Sequence, residues 1–282
     1  MTERPEDITT RMGNIAQIET VVLALRGLAT AQAQEARRHL AAAEAHAATV
    51  TRAMAQALAH DPATFTGSDS GPAAGPALMI VIGASQGFSG AYSERIVSAA
   101  AEARSADPAL QLMVLGQRCI SECDDRGLDR VWDRPMPAHV DEIAGLASRV
   151  VDALFTRLAQ QGAGPVRILH ARPSHDGQPL VTRQLLPFDP AGVLPATRGG
   201  GAPLLTLPVA ALMAALIEEW VFAEICAALL VAHTAENEAR MTAMMRAKAN
   251  LQDLHRDLRR DLNAARQAQT TTEIIELSAG RL

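Results

Sequence analysis

The sequence predicts an α/β protein. Its N- and C-terminal segments pair as a long antiparallel coiled coil, and its middle folds as a small domain with a largely parallel sheet. Three observations lead there. Residues 8–59 contain no proline and repeat apolar residues near the 3.5-residue period of a coiled-coil seam. Residues 209–278 contain neither proline nor glycine. Between them, short β-rich apolar runs alternate with amphipathic stretches, the pattern of βαβ units.

The first segment carries Ile8, Met12, Ile15, Ile18, Val22, Leu25 and Ala29 on one predicted face. Beyond that the seam thins to alanine, and His60-Asp61-Pro62 ends the helix, since proline disfavours helical geometry in the residue before it. In the middle, 77–82, 110–115, 166–170 and 180–186 read as strands. Residues 91–106, 117–126 and 138–161 read as helices. Proline suits a first helical position, so Pro208 opens the last helix. Its predicted stripe is Met241, Met244, Leu251, Leu254, Leu258, Leu262 and Ala265. The expected organisation is therefore an N-terminal coiled-coil helix over 1–61, a linker over 62–76 and a central domain over 77–190. A second linker follows over 191–207, then a C-terminal helix over 208–282.

At 1.5 Å per residue the two helices would run roughly 80 Å and roughly 105 Å, against about 30 Å for a compact domain. They must pair with each other or with other chains. If flush at the central domain, the last helix overhangs by roughly 25 Å. Ile274, Ile275 and Leu277 then have no partner within the chain and call for a sleeve supplied by another protein.

Composition narrows the function. Of 282 residues, 48% are hydrophobic and only 3% aromatic, while 55 are alanine, the best helix former. The net charge of −5 argues against a whole-chain nucleic-acid binder. Three cysteines form a sparse, odd set, as expected in a reducing compartment. The N-terminus lacks the apolar core of a signal peptide. The uncharged stretch 199–217 holds Pro203 and Pro208, too broken for a membrane span. A soluble cytoplasmic protein is expected.

Enzymatic chemistry finds little support. Gly83-Ala-Ser-Gln-Gly87-Phe-Ser-Gly90 lies between a strand and a helix, where backbone amides can cradle a phosphate. Its spacing matches neither the dinucleotide fingerprint nor the P-loop, and no lysine follows. A tight strand-to-helix turn is the expected reading, with anion binding the alternative. Ser89 is not in a nucleophile elbow. Cys119 and Cys123 lie four apart without a further zinc-spaced partner. No catalytic residue, metal site or cofactor is expected.

The segment Ile8-Thr-Thr-Arg-Met-Gly-Asn-Ile-Ala-Gln-Ile-Glu-Thr20 resembles the opening helix of the gamma subunits of F-type ATP synthases. Arg183-Gln-Leu-Leu-Pro187 resembles the family's Gln-Leu-Leu-Pro segment. Glu236-Asn-Glu-Ala-Arg-Met-Thr-Ala-Met244 and Asn263-Ala-Ala-Arg-Gln-Ala268, running into Thr271-Thr-Glu-Ile-Ile275, are the most specific matches. The resemblance covers almost the whole chain in order. It implies a Rossmann-like central domain and a non-catalytic rotor shaft inside a hexamer of alpha and beta subunits. The epsilon subunit and the membrane c-ring would lie at its foot. It also implies a place on the cytoplasmic side of a bacterial inner membrane, peripheral and reached only through the complex, with no nucleic-acid partner. By position, Arg266, Gln267 and Thr271 correspond to residues that hydrogen-bond the beta subunits. Ile274, Ile275 and Leu277 correspond to the apolar tip in its bearing.

The chain also departs from the pattern. Leu25-Arg-Gly-Leu-Ala-Thr-Ala-Gln-Ala-Gln34 replaces a lysine-rich stretch, and Ser85-Gln86 and Phe88-Ser89 replace the usual turn residues. These changes suggest a divergent paralogue of the alternative sodium-type bacterial ATPases. Two other classes stay open on the residues alone: a coiled-coil adaptor without ATPase partners, and a nucleotide-binding α/β enzyme using the Gly83–Gly90 turn.

Overall fold

The computed structural model describes residues 4–60, 75–174, 178–188 and 204–279. Most of the two predicted linkers lies outside the described residues. The first long helix, α1, spans Pro5–His60, and the last, α5, spans Val209–Ala279. The chain forms two compact units. One comprises residues 1–30 with 240–282, the other residues 31–239.

The larger unit is built on a five-stranded sheet: β1 Leu78–Ile82, β2 Gln111–Leu115, β3 Trp132–Arg134, β4 Val166–Ala171 and β5 Leu180–Leu186. The order is β3-β2-β1-β4-β5, parallel except for the antiparallel β4–β5 pair. β1 is buried along its whole length, as a central parallel strand covered on both faces requires. Sequence reading missed β3. Three residues, Trp-Asp-Arg, carry no apolar run, and the strand exists because β2 offers a free edge for it to pair with.

Helices α2 (Tyr92–Ala106) and α3 (Gln117–Asp125) cover one face through Tyr92, Ile96, Val97, Cys119 and Cys123. Helix α4 (Ile143–Gln161) covers the other with Ile143, Leu146, Ala147, Val150, Val151 and Leu154, one stripe at helical spacing. The same core takes in Ala36 of α1 and Val221, Ile225, Leu229 and Ala232 of α5. A further cluster joins Val50, Met54, Ala57 and Leu58 of α1 to Met213 of α5. Beside it, Phe188 meets Trp220 edge-on at 5.2 Å. Within this unit α1 and α5 run antiparallel: low positions on one meet high positions on the other.

In the smaller unit, Ile8 and Ile15 of α1 pack against Leu258, Leu262 and Ala265 of α5, with Met12 and Leu251 half-buried beside them. Val22 and Met244 are buried, and Leu25 and Met241 half-buried. Thr30 Oγ1 lies 3.5 Å from Met241 Sδ.

Two seam expectations are corrected. Ile18 is 51% exposed and Leu254 is 44% exposed; neither faces the partner helix. From Ile8 to Val22 the covered positions on α1 keep alternating steps of four and three, Ile8, Met12, Ile15, Glu19 and Val22; beyond that Leu25, Arg26, Ala29 and Thr30 are all at least half-buried. On α5 they run Met241, Met244, Lys248, Leu251, His255, Leu258, Leu262 and Ala265. An unbroken heptad holds one stripe toward the partner. Glu19, Arg26, Lys248 and His255 therefore stand half-buried in the seam, and the apolar Ile18 and Leu254 are turned out. Phase along the helix, not side-chain character, sets which residues face the partner.

Burial pushes the Cys119 thiol up to about 12 and the Cys123 thiol up to about 11. An exposed thiol in the unfolded chain ionises near pH 9. The folded state thus retains protons that the unfolded state releases, and stability falls as pH rises from about 9 toward 12. Denaturant titrations at pH 8 and pH 10.5 should show this loss, and Cys119→Ala with Cys123→Ala should flatten it. The seam phase has its own check. Leu258→Asp buries an unpaired charge and should cost about 3 kcal/mol or more. Leu254→Asp should stay within about 0.5 kcal/mol. Melting followed by circular dichroism separates the two.

Candidate functional site

Two kinds of feature stand out: exposed apolar surfaces, and the joint that fastens α5 to the turn after β1. The surfaces lie in the smaller unit. From Arg266 to Ala279 every residue of α5 is exposed. Ile274, Ile275 and Leu277 are 61%, 59% and 74% exposed. Arg266 and Gln267 present their side chains to solvent. The Thr271 hydroxyl donates to the Gln267 carbonyl at 2.9 Å, and Thr270 likewise to Arg266 at 3.0 Å. Such back-bonds occupy the threonine protons and leave the hydroxyl oxygens as outward acceptors.

α1 adds a second surface that sequence reading missed. Ile18, Val21 and Leu28 are each more than half exposed, with Leu25 half-buried between them. Ile18, Val21 and Leu28 make a second apolar stripe flanking the seam, with Leu25 between the two. Of these residues the sequence analysis places Ile18 and Leu25 in the single expected seam and gives Val21 and Leu28 no role.

The joint lies in the larger unit. The Gly83–Gly90 turn does hold an anion, and it belongs to the chain itself. The carboxylate of Glu236 on α5 accepts from the Ser85 amide at 3.0 Å, the Ser85 hydroxyl at 3.2 Å and the Gln86 amide at 3.2 Å. Glu236 is 1% exposed. The donors that a nucleotide phosphate would use are therefore occupied. The turn is shaped by close approach: a Cβ on Gly83 would sit 1.9 Å from Cys119 Sγ. Gly116, where β2 turns into α3, has φ +103°.

Neighbouring bonds extend the joint. The Tyr92 hydroxyl donates to the Ala232 carbonyl at 3.1 Å, Arg37 of α1 pairs with Glu238, and Arg183 of β5 pairs with Glu224. Thr234 and Asn237 are buried and donate to carbonyls one turn back, at 2.9 and 3.0 Å. Glu236, Thr234 and Asn237 thus lie in a stretch of α5 that is buried rather than solvated.

Among the described residues no three His, Cys, Asp or Glu side chains gather as metal ligands. Among them, too, no helix is long and apolar enough to cross a membrane.

Comparison with known proteins agrees with this architecture. The family model described as ATP synthase matches residues 4–281. The ATP synthase gamma chain of Beutenbergia cavernae is 27% identical, covering 96% of this chain and 94% of that relative. That of Frankia casuarinae is 26% identical with the same coverage. Among solved structures, the rotor of the Euglena gracilis mitochondrial ATP synthase in rotational state 1 aligns with a TM-score of 0.66. It covers 94% of this chain and 98% of that chain at 15% identity, a likeness of fold.

Glu236→Ala would leave three donors without their acceptor and should cost about 3 kcal/mol in chemical denaturation. Glu236→Gln, which keeps an amide oxygen in place, should recover about half of that.

Proposed function

Since the chain belongs to the ATP synthase gamma-chain family, we propose that this central-stalk rotor subunit turns within a hexamer of alpha and beta subunits and performs no bond chemistry itself. Its foot meets the epsilon subunit and the c-ring. It is a peripheral component on the cytoplasmic side of a bacterial inner membrane.

One observation supports this most directly. The last turns of α5 expose Ile274, Ile275 and Leu277 with no cover from α1. Apolar side chains clustered at an exposed end mark a surface that is buried elsewhere. A bearing formed by the hexamer supplies that burial, and the Ile18–Val21–Leu28 stripe adds a second contact below it. Arg266, Gln267 and Thr271 are displayed just before the apolar end, where they can hydrogen-bond a beta subunit.

Coupling follows from asymmetry. A helix pair that presents different residues around its circumference stabilises a different conformation in each catalytic subunit it faces. Turning it exchanges those conformations in sequence, linking ion flow to ATP synthesis or hydrolysis. Rotation requires that α5 not slip against the sheet domain. The Glu236 joint, the Arg37–Glu238 pair near it and the Arg183–Glu224 pair about three turns away along α5 resist such slippage.

Deleting residues from Thr270 onward should leave the sheet domain folded while reducing ATP-driven ion pumping by the assembled complex several-fold. Pumping at the wild-type rate would count against the bearing assignment.

A further inference from the structure

In the larger unit, a cavity of about 380 Å³ lies between the β4–β5 pair, α1 and α5. Its walls are partly apolar, with Ala47 and Ala48 of α1 and Ala227 and Ala228 of α5 among them. It is also lined by His170 of β4, which is only 7% exposed. His170 Nδ1 lies 3.0 Å from the Ala171 carbonyl oxygen. A carbonyl oxygen only accepts, so Nδ1 carries the proton and donates it. Nε2 is left as a lone pair, an acceptor available to whatever fills the cavity.

The charged groups around it set the ligand. Arg172 and Arg183 line the same cavity. Arg183 is held by Glu224, whereas Arg172 makes no ion pair among the described residues. Glu44 stands exposed on the α1 side. Burial chiefly, with the two arginines adding to it, pushes the His170 pKa down, against the Ala171 bond that raises it. With Arg183 paired to Glu224, Arg172 is the cation left to meet a ligand, while Nε2 itself asks for a donated hydrogen bond.

Few anions satisfy both demands. A carboxylate or sulfate at neutral pH offers charge but no O–H. A phosphate monoester has largely lost its second proton, whose pKa is near 6. Inorganic hydrogen phosphate carries negative oxygens for the guanidinium of Arg172 and one retained O–H for Nε2. We propose that this cavity binds hydrogen phosphate, with Nε2 of His170 accepting a hydrogen bond from its O–H and Arg172 pairing its charge. A bound ion would tie the β4–β5 pair to α1 and α5. The proposal does not depend on the rotor reading.

Calorimetric titration of the full chain with inorganic phosphate, sulfate and glycerol 3-phosphate tests it. Phosphate should bind saturably, with sulfate and the monoester at least tenfold weaker. Arg172→Gln, at an exposed position, should weaken phosphate about tenfold. His170→Phe should erase the preference for phosphate over sulfate. Absence of saturable phosphate binding would overturn the proposal. So would equal affinity for sulfate in the unaltered chain, or an Arg172→Gln variant that binds phosphate as well as the parent. The last readout holds even if the His170 variant does not fold.

Discussion

Two paired helices can cover only one stripe of each other, and the rest of this protein follows from that constraint. A heptad advances in alternating steps of four and three, and each step returns the same face to the partner. On α1 that face runs through Ile8, Ile15, Val22 and Ala29; on α5 it runs through Met244, Leu251, Leu258 and Ala265. Everything off that stripe is left for solvent or for other proteins. Ile18, Val21 and Leu28 stand outside it, and so do Ile274, Ile275 and Leu277 where the α5 seam has already ended. A protein that worked alone would gain nothing from such exposure. The proposed hexamer bearing would supply its burial.

The opposite requirement holds where the helices meet the sheet. Here α5 must not be free, and it is fixed by polar bonds that are directional where apolar packing is not. Glu236 reaches into the turn after β1, Tyr92 bonds back to the α5 backbone, and ion pairs from α1 and β5 flank them. Apolar contacts such as Val221, Ile225 and Leu229 give the unit its stability. The buried carboxylate adds specificity of angle, because its three donors accept only one placement of the helix. The turn keeps the shape of an anion cradle while an internal side chain takes the ligand's place. Nucleotide-binding geometry and a structural fastening are thus difficult to separate by motif.

Much of this was legible beforehand. Absence of proline and glycine over 209–278 announced a single helix, and the apolar run Leu78–Ile82 announced a buried parallel strand. Those signals are local: they depend on backbone propensity and periodicity, which each segment carries wherever it sits. The order of elements and the residues of the C-terminal motif then pointed to the family. The three-residue strand Trp132–Arg134 was invisible because only the neighbouring edge of β2 makes it a strand.

What the tertiary structure alone decided is phase and partnership. Whether Leu254 or His255 faces α1 depends on how two helices settle along their full contact, and an apolar side chain one position out of phase cannot pull the seam toward itself. Glu236 and Ser85 are separated by 151 positions, and nothing in either segment says that one will fill the other. The same holds for His170, whose free nitrogen acquires meaning only from the walls that α1 and α5 place around it. Local rules chose the elements; long-range packing chose which of their faces meet, because that choice is made by the sum of many contacts and belongs to no single residue.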